Sequence, residues 1–84
     1  SFEPNNHYIL DSMGWIHFKL GNLDIGLQYI KKAYATNNDP EIAAHLGEIL
    51  WTQGKKEDAK AVWENSLNRY PSNAVLKETT DRLR

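Results

Sequence analysis

The chain repeats itself at a spacing of 33 residues. Gly14 and Gly47 stand that far apart, as do Gly21 and Gly54, Ile9 and Ile42, and Ile16 and Ile49. In the same register Met13 meets Leu46, Phe18 meets Trp51, Gly26 meets Ala59, Ala33 meets Ser66 and Tyr34 meets Leu67. Each pair agrees in size or chemistry. A unit this short cannot bury its apolar face alone, so it must stack on a neighbour of its own kind. That confines the chain to architectures in which one small motif packs on the next. At 84 residues the chain holds a single domain.

Each unit reads as two helices. In the first, Ile9, Leu10, Met13, Ile16, His17 and Leu20 recur at three- and four-residue steps, one apolar face of a helix. Gly21 suits a left-handed position after a helix end, and Asn22 suits the cap of the next helix. The second helix carries Leu23, Leu27, Ile30, Ala33 and Tyr34 and stops at Asn37-Asn38. Asp39-Pro40-Glu41 restarts a helix with a capping carboxylate, a proline at the first helical position and an acid favoured by the helix dipole. Ile42, Ala43, Leu46, Ile49 and Leu50 repeat the first stripe, and Gly54 breaks it. Ala59, Val62, Trp63, Ser66 and Leu67 repeat the second, which Tyr70-Pro71-Ser72 ends.

A fifth helix is expected after Asn73, a further cap residue. Leu76 and Leu83 take the places of Ile42 and Ile49, now 34 residues on. Where the first two units have Gly14 and Gly47, this segment has Asp81. A small residue is needed there only if a partner helix comes close, so the last helix is read as a cap with a polar outer face. The reading is thus all-α, two helical hairpins and a capping helix.

The residues of the second unit resemble the tetratricopeptide repeat family: Leu46-Gly47, Leu50, Gly54, Ala59, Trp63 and Pro71 fall at its signature spacings. The first unit matches through Leu10, Met13-Gly14, Gly21, Gly26, Ile30 and Ala33. It departs at His17, where tyrosine is usual, at Gly26, where alanine is usual, and at Asn38, where proline is usual. The resemblance implies a right-handed superhelix of antiparallel hairpins. Repeat one would span about 7–40, repeat two about 40–73 and the cap about 74–84, within one domain, 1–84. The segment 39–48 further resembles the last repeats of long bacterial members of the family, among them envelope lipoproteins that act as adaptors for C-terminal-processing proteases.

The family's members are mostly scaffolds whose first helices line a concave groove that takes a peptide or protein. Carried over, that implies a partner-binding groove of Tyr8, Asp11, Trp15, Phe18, Glu41, His45, Glu48 and Trp51, flanked by Ser12, Lys19, Ala44, Thr52, Glu78 and Arg82. Four of these are aromatic, residues that anchor partners through large apolar contacts. The acids Asp11, Glu41, Glu48 and Glu78 would favour a partner with basic as well as apolar residues. The competing reading has Phe18 and Trp51 packing on each other between units, Trp15 and Tyr8 covered by a preceding repeat, and the acids merely solvated. The chaperone-carboxylate clamp known in the family needs donors on the first helix, where this chain has Asp11 and Trp15, so that mode is not expected.

Other chemistries find little footing. There is no cysteine, which removes disulfides, thiol nucleophiles and cysteine metal sites together. His45 and Glu48 share a helix face but make only two ligands, too few for a metal. His17 is expected in the core with one hydrogen bond, and His7 at a helix start. Ser12 and Ser66 have no base at a useful spacing, and the five glycines are dispersed rather than gathered into a phosphate loop. No catalytic residue, cofactor or metal is expected. Ten Lys and Arg balance eleven Asp and Glu, so the net charge is −1. A helical-repeat RNA binder would bring a basic groove, and Lys31-Lys32 and Lys55-Lys56 are too short to be one. The apolar runs are too short for membrane insertion. Self-association is the other alternative, as a homo-oligomer formed through the exposed end of the first helix. The opening Ser1-Phe2 and closing Arg82-Leu83-Arg84 are read as marking the C-terminal piece of a longer array; the compartment, cytoplasm or bacterial periplasm, stays open.

Overall fold

The computed structural model describes residues 6–83. The expectations placed on Ser1-Phe2 and Arg84, and the outer ends of the 1–84 domain, lie outside the described residues. Five helices follow one another: α1 (His7–Lys19), α2 (Leu23–Thr36), α3 (Pro40–Thr52), α4 (Lys56–Arg69) and α5 (Ala74–Leu83). There is no strand among the described residues.

Local chemistry explains most of the boundaries. The Asn6 side chain accepts from the Tyr8 and Ile9 amides and starts α1. Asp39 accepts from the Glu41 amide at 2.8 Å, with Pro40 opening α3. Asn73 accepts from the Leu76 amide at 2.9 Å and starts α5. Each cap satisfies an amide that the helix itself leaves without a partner. Both hairpin turns use the same device. Gly21 and Gly54 have φ of +89° and +86°, a left-handed conformation that a side chain would strain. The Asn22 amide then reaches back to the His17 carbonyl, and the Lys55 amide to the Leu50 carbonyl.

Asn22 departs from its expected role. It stands before α2, yet its side chain makes no cap bond among the described residues. Its amide instead donates to His17 Nδ1 at 3.3 Å. The φ and ψ of −88° and 70° are not those of a side-chain cap, because the preceding glycine turn already sets the backbone there.

The hairpins close on glycine. A Cβ at Gly14 would lie 2.6 Å from Ile30 Cγ1 and 2.9 Å from the Gly26 carbonyl, so α1 and α2 touch backbone to backbone. In the second hairpin the Trp63 indole lies directly over Gly47. Trp63 is fully buried, and its Nε1 donates to the Ala44 carbonyl at 3.4 Å. One apolar cluster runs through both hairpins: Leu10, Leu27, Ile30, Ala33, Ile42, Ala44, Leu46, Ile49, Leu50, Ala59, Trp63 and Leu76. Leu83 packs on its margin. The two junctions differ. α3 rests mainly on α2 and lightly on α1, whereas α5 rests mainly on α3 and lightly on α4. The exposed residues of α5 include Lys77, Glu78, Asp81 and Arg82, the polar outer face of a cap.

The expected stripe of α1 is corrected by the fold. Of that stripe only Leu10 is buried, beside Gly14; Ile9 and His17 are half-buried, and Met13, Ile16 and Leu20 are exposed. α2 covers the Leu10–Gly14 face. Met13, Ile16 and Leu20 point to the opposite flank, where no described helix lies. His17 is therefore not a core residue. It stacks on Tyr29 with centroids 5.6 Å apart and accepts the Asn22 amide at the rim.

Candidate protein-docking groove

The expected groove residues fall into two groups along α1 and α3. On α1, Trp15 is half-buried and stacks on the His45 ring of α3, centroids 4.2 Å apart. Asp11 accepts from His45 Nδ1 at 2.8 Å. The two side chains clasp His45 between them and tie the first helix of one hairpin to the first helix of the next. Phe18 continues the aromatic row, 4.9 Å from Trp15, with the Lys19 ammonium over both rings. Tyr8 begins the row and is 64% exposed, touching the His7 ring. His7 in turn accepts from the Asn37 side chain at 3.1 Å, which pins the start of α1 to the end of α2.

On α3 the surface is more closed than expected. Ala44 and Glu48 are buried, not open to a groove. Trp63 of α4 meets the Ala44 carbonyl, and α5 closes over Glu48: Arg82 donates to both carboxylate oxygens of Glu48, at 2.7 and 3.4 Å, and to Glu78 at 2.9 Å. The hydrogen bonds to Glu48 and then Glu78 hold the Arg82 guanidinium above its ordinary pKa, so it stays charged. Such a fork-to-fork contact is short and directional. Trp51 is half-buried against Trp63, centroids 5.6 Å apart, and its free face carries Lys56 at 4.9 Å. Glu41 remains exposed at the start of α3.

Two expectations change on this geometry. Phe18 pairs with Trp15 and Trp51 with Trp63, so the aromatics pack along each hairpin rather than as one Phe18–Trp51 pair. The acids are largely spoken for within the chain: Asp11 by His45, and Glu48 and Glu78 by Arg82. His45 and Glu48, considered as a metal pair, turn to different partners, and no group of three metal-ligating side chains occurs among the described residues. The Asp11–His45 and Glu48–Arg82 pairs each span 34 residues, too far apart for any local motif to announce them.

An open cleft of about 590 Å³ lies between the two hairpin turns. Gly21, Leu23, Asp24, Thr52, Gln53 and Lys55 line it, none of them an expected catalytic group. Across it Gln53 donates to Asp24 at 3.0 Å, joining the end of α3 to the start of α2. No described helix is long and apolar enough to cross a membrane.

No protein-family model matches the chain. A TPR repeat-containing protein of Pseudomonas aeruginosa is 46% identical over 46 residues, which cover 55% of this chain and 8% of that protein. The serine/threonine-protein kinase pkn3 of Myxococcus xanthus is 32% identical over 68 residues, 76% of this chain and 12% of the kinase. The chain thus spans about a tenth of the length of these curated bacterial relatives. Paired helices closed on glycine, a single core shared by successive hairpins and likeness to a protein named for these repeats agree with one another: the chain is an all-α helical repeat domain similar to tetratricopeptide repeat proteins.

Proposed function

We propose that this domain is a protein-interaction scaffold whose docking surface is the aromatic row on the concave side of α1, continued onto α3. The row formed by Tyr8, Trp15 and Phe18 carries the reading. The three rings lie along one helix; His45, held by Asp11, stacks on Trp15, Phe18 packs on Trp15, and Tyr8 is left open. Rigid aromatic surface of this kind gives large contact area at small entropic cost. The clasp on His45 orders Trp15 before a partner arrives, which lowers the cost of binding.

The partner that fits best is an extended or helical segment with apolar anchors. Its attraction to basic residues is weaker than the count of acids suggests, because Glu41 is the acid left exposed while Asp11, Glu48 and Glu78 are paired. Trp51 belongs to the rim of this surface, since one of its faces is already covered by Trp63. A non-catalytic role accords with a surface of rings and internally paired charges. Any activity of a longer protein containing this domain would come from elsewhere in it.

Selection from a displayed library of random short peptides tests the reading. Enriched peptides should share apolar anchors and bind the intact domain, with Trp15 fluorescence shifting on titration. Tyr8→Ala should weaken binding at least tenfold while the far-ultraviolet dichroism stays unchanged. Peptides that bind Tyr8→Ala and Trp15→Ala as well as the parent would refute it.

A further inference from the structure

We infer that, where the aromatic row docks its partner as proposed, that partner is a peptide segment carrying an aspartate or glutamate beside the apolar anchor that lands on Trp15 and Phe18. The charges left over on the groove point this way. The Lys19 ammonium lies over the Trp15 ring, 5.1 Å from its centroid, and over the Phe18 ring at 5.8 Å. The Lys56 ammonium lies over Trp51 at 4.9 Å. Both lysines are exposed, and neither has a carboxylate within ion-pair distance among the described residues. The groove acids are otherwise engaged: Asp11 pairs with His45 at 2.8 Å, and Glu48 and Glu78 share Arg82 at 2.7 and 2.9 Å.

The open charges are also sorted in space. Lys19 ends α1 and Lys56 opens α4, each beside a hairpin turn. The two turns line one cleft, through Gly21 and Lys55, so both ammonium groups sit at the same end of the domain. Glu41, the exposed groove acid without an ion-pair partner among the described residues, stands at the start of α3. It is about 15 Å along the helix from Trp51, at a rise of about 1.5 Å per residue. The groove is therefore basic at its turn end, and a bound segment should place its acid there.

The lysines do more than colour the field. An ammonium over a ring is held by the negative face of the π-system. An apolar anchor that takes the outer face of Trp15 or Phe18 must push Lys19 aside and forfeit that contact. A carboxylate next to the anchor gives the displaced ammonium a new partner. A lysine or arginine in its place would compete for the same ring and meet a like charge. A phosphate backbone is the weaker match: two lysines on a chain of net charge −1 lack the row of cations that such binding draws on.

Composition of the peptides selected from the displayed library tests this. Peptides that bind the parent should be enriched in Asp and Glu, and depleted of Lys and Arg, next to the apolar anchor. Lys19→Glu should reverse that preference and weaken a parent-selected peptide by about threefold or more. Lys31→Glu makes the same change of net charge on an exposed face of α2, with no ring beneath the ammonium among the described residues, and should alter neither result. Added salt should weaken the parent complex more than that of Lys19→Gln. Far-ultraviolet dichroism should be that of the parent in every variant, since these side chains are exposed. Apolar peptides without acidic bias, or an unchanged preference in Lys19→Glu, would overturn the inference and leave the docking surface standing. No enrichment at all from the parent would remove the docking surface as well. A single-stranded oligouridylate that competes with the selected peptides would assign the lysines to phosphate and overturn the inference.

Discussion

Gly47→Ala is the sharpest probe of how the second hairpin is held together. Alanine is ordinarily the better helix residue, by about 1 kcal/mol over glycine. At this position the Trp63 indole occupies the space a Cβ would need, with Cδ1 2.6 Å away where ordinary contact begins at 3.4 Å. Trp63 Nε1 and Cε2 lie nearer still, so the ring must retreat by more than the roughly 0.8 Å that Cδ1 alone requires, and it is a rigid, fully buried group with no flexible end to swing aside. Overpacking of this kind costs about 1–3 kcal/mol, and the retreat also removes the Trp63–Ala44 hydrogen bond, worth about 1 kcal/mol. Set against the helix-propensity gain, the net loss is about 2 kcal/mol. A domain of this size has a total stability of only about 4–12 kcal/mol, so the change is large. Urea titration followed by helical dichroism should show a lower midpoint with an unchanged slope. Heating should show a melting temperature lower by roughly 8–16 °C. Trp63→Leu in the same chain should recover part of the loss through negative coupling between the two positions. A Gly47→Ala variant as stable as the parent would show that the indole does not sit over the glycine backbone, and the packing described for this hairpin would fall.

Two further substitutions test finer points. The buried Ser66 hydroxyl has no hydrogen-bond partner among the described residues, and the equivalent Ala33 is fully buried without one to satisfy, so Ser66→Ala should raise the unfolding free energy by about 0.5–1 kcal/mol, seen as a higher urea midpoint; a loss of stability would mean that the hydroxyl is satisfied. Asp39→Ala should cost about 1 kcal/mol by removing the Glu41 cap bond, whereas Asn22→Ala should cost only a few tenths, since Asn22 caps nothing; equal losses by urea titration would contradict the difference in cap geometry.

The repeat, the helical boundaries and the cores of α2 and α4 were legible before any coordinates. They rest on local chemistry: Asp39-Pro40 and Asn73 open helices, Gly21 and Gly54 end them, and Leu27, Ile30, Ala59 and Trp63 fall on one face by spacing alone. Less of the candidate groove was legible. Tyr8 and Glu41 are exposed and Trp15 stacks on His45, but Glu48 is buried beneath Arg82 and Trp51 is half-covered by Trp63. The charge of the groove was misjudged for the same reason. A carboxylate counts as free in a sequence until the structure brings a histidine or arginine to it from a whole repeat away.

Sequence by itself determined that this chain forms five helices in a stacked repeat, because caps, breakers and a helical period act over a few residues and need no distant partner. Tertiary structure alone decided which side of α1 is covered. Leu10 and Ile16 are equally apolar and six residues apart, yet one is buried and the other faces water. Periodicity marks a helix as amphipathic; burial depends on whether a neighbouring helix arrives at that flank, and only the stacking of one hairpin on the next settles that.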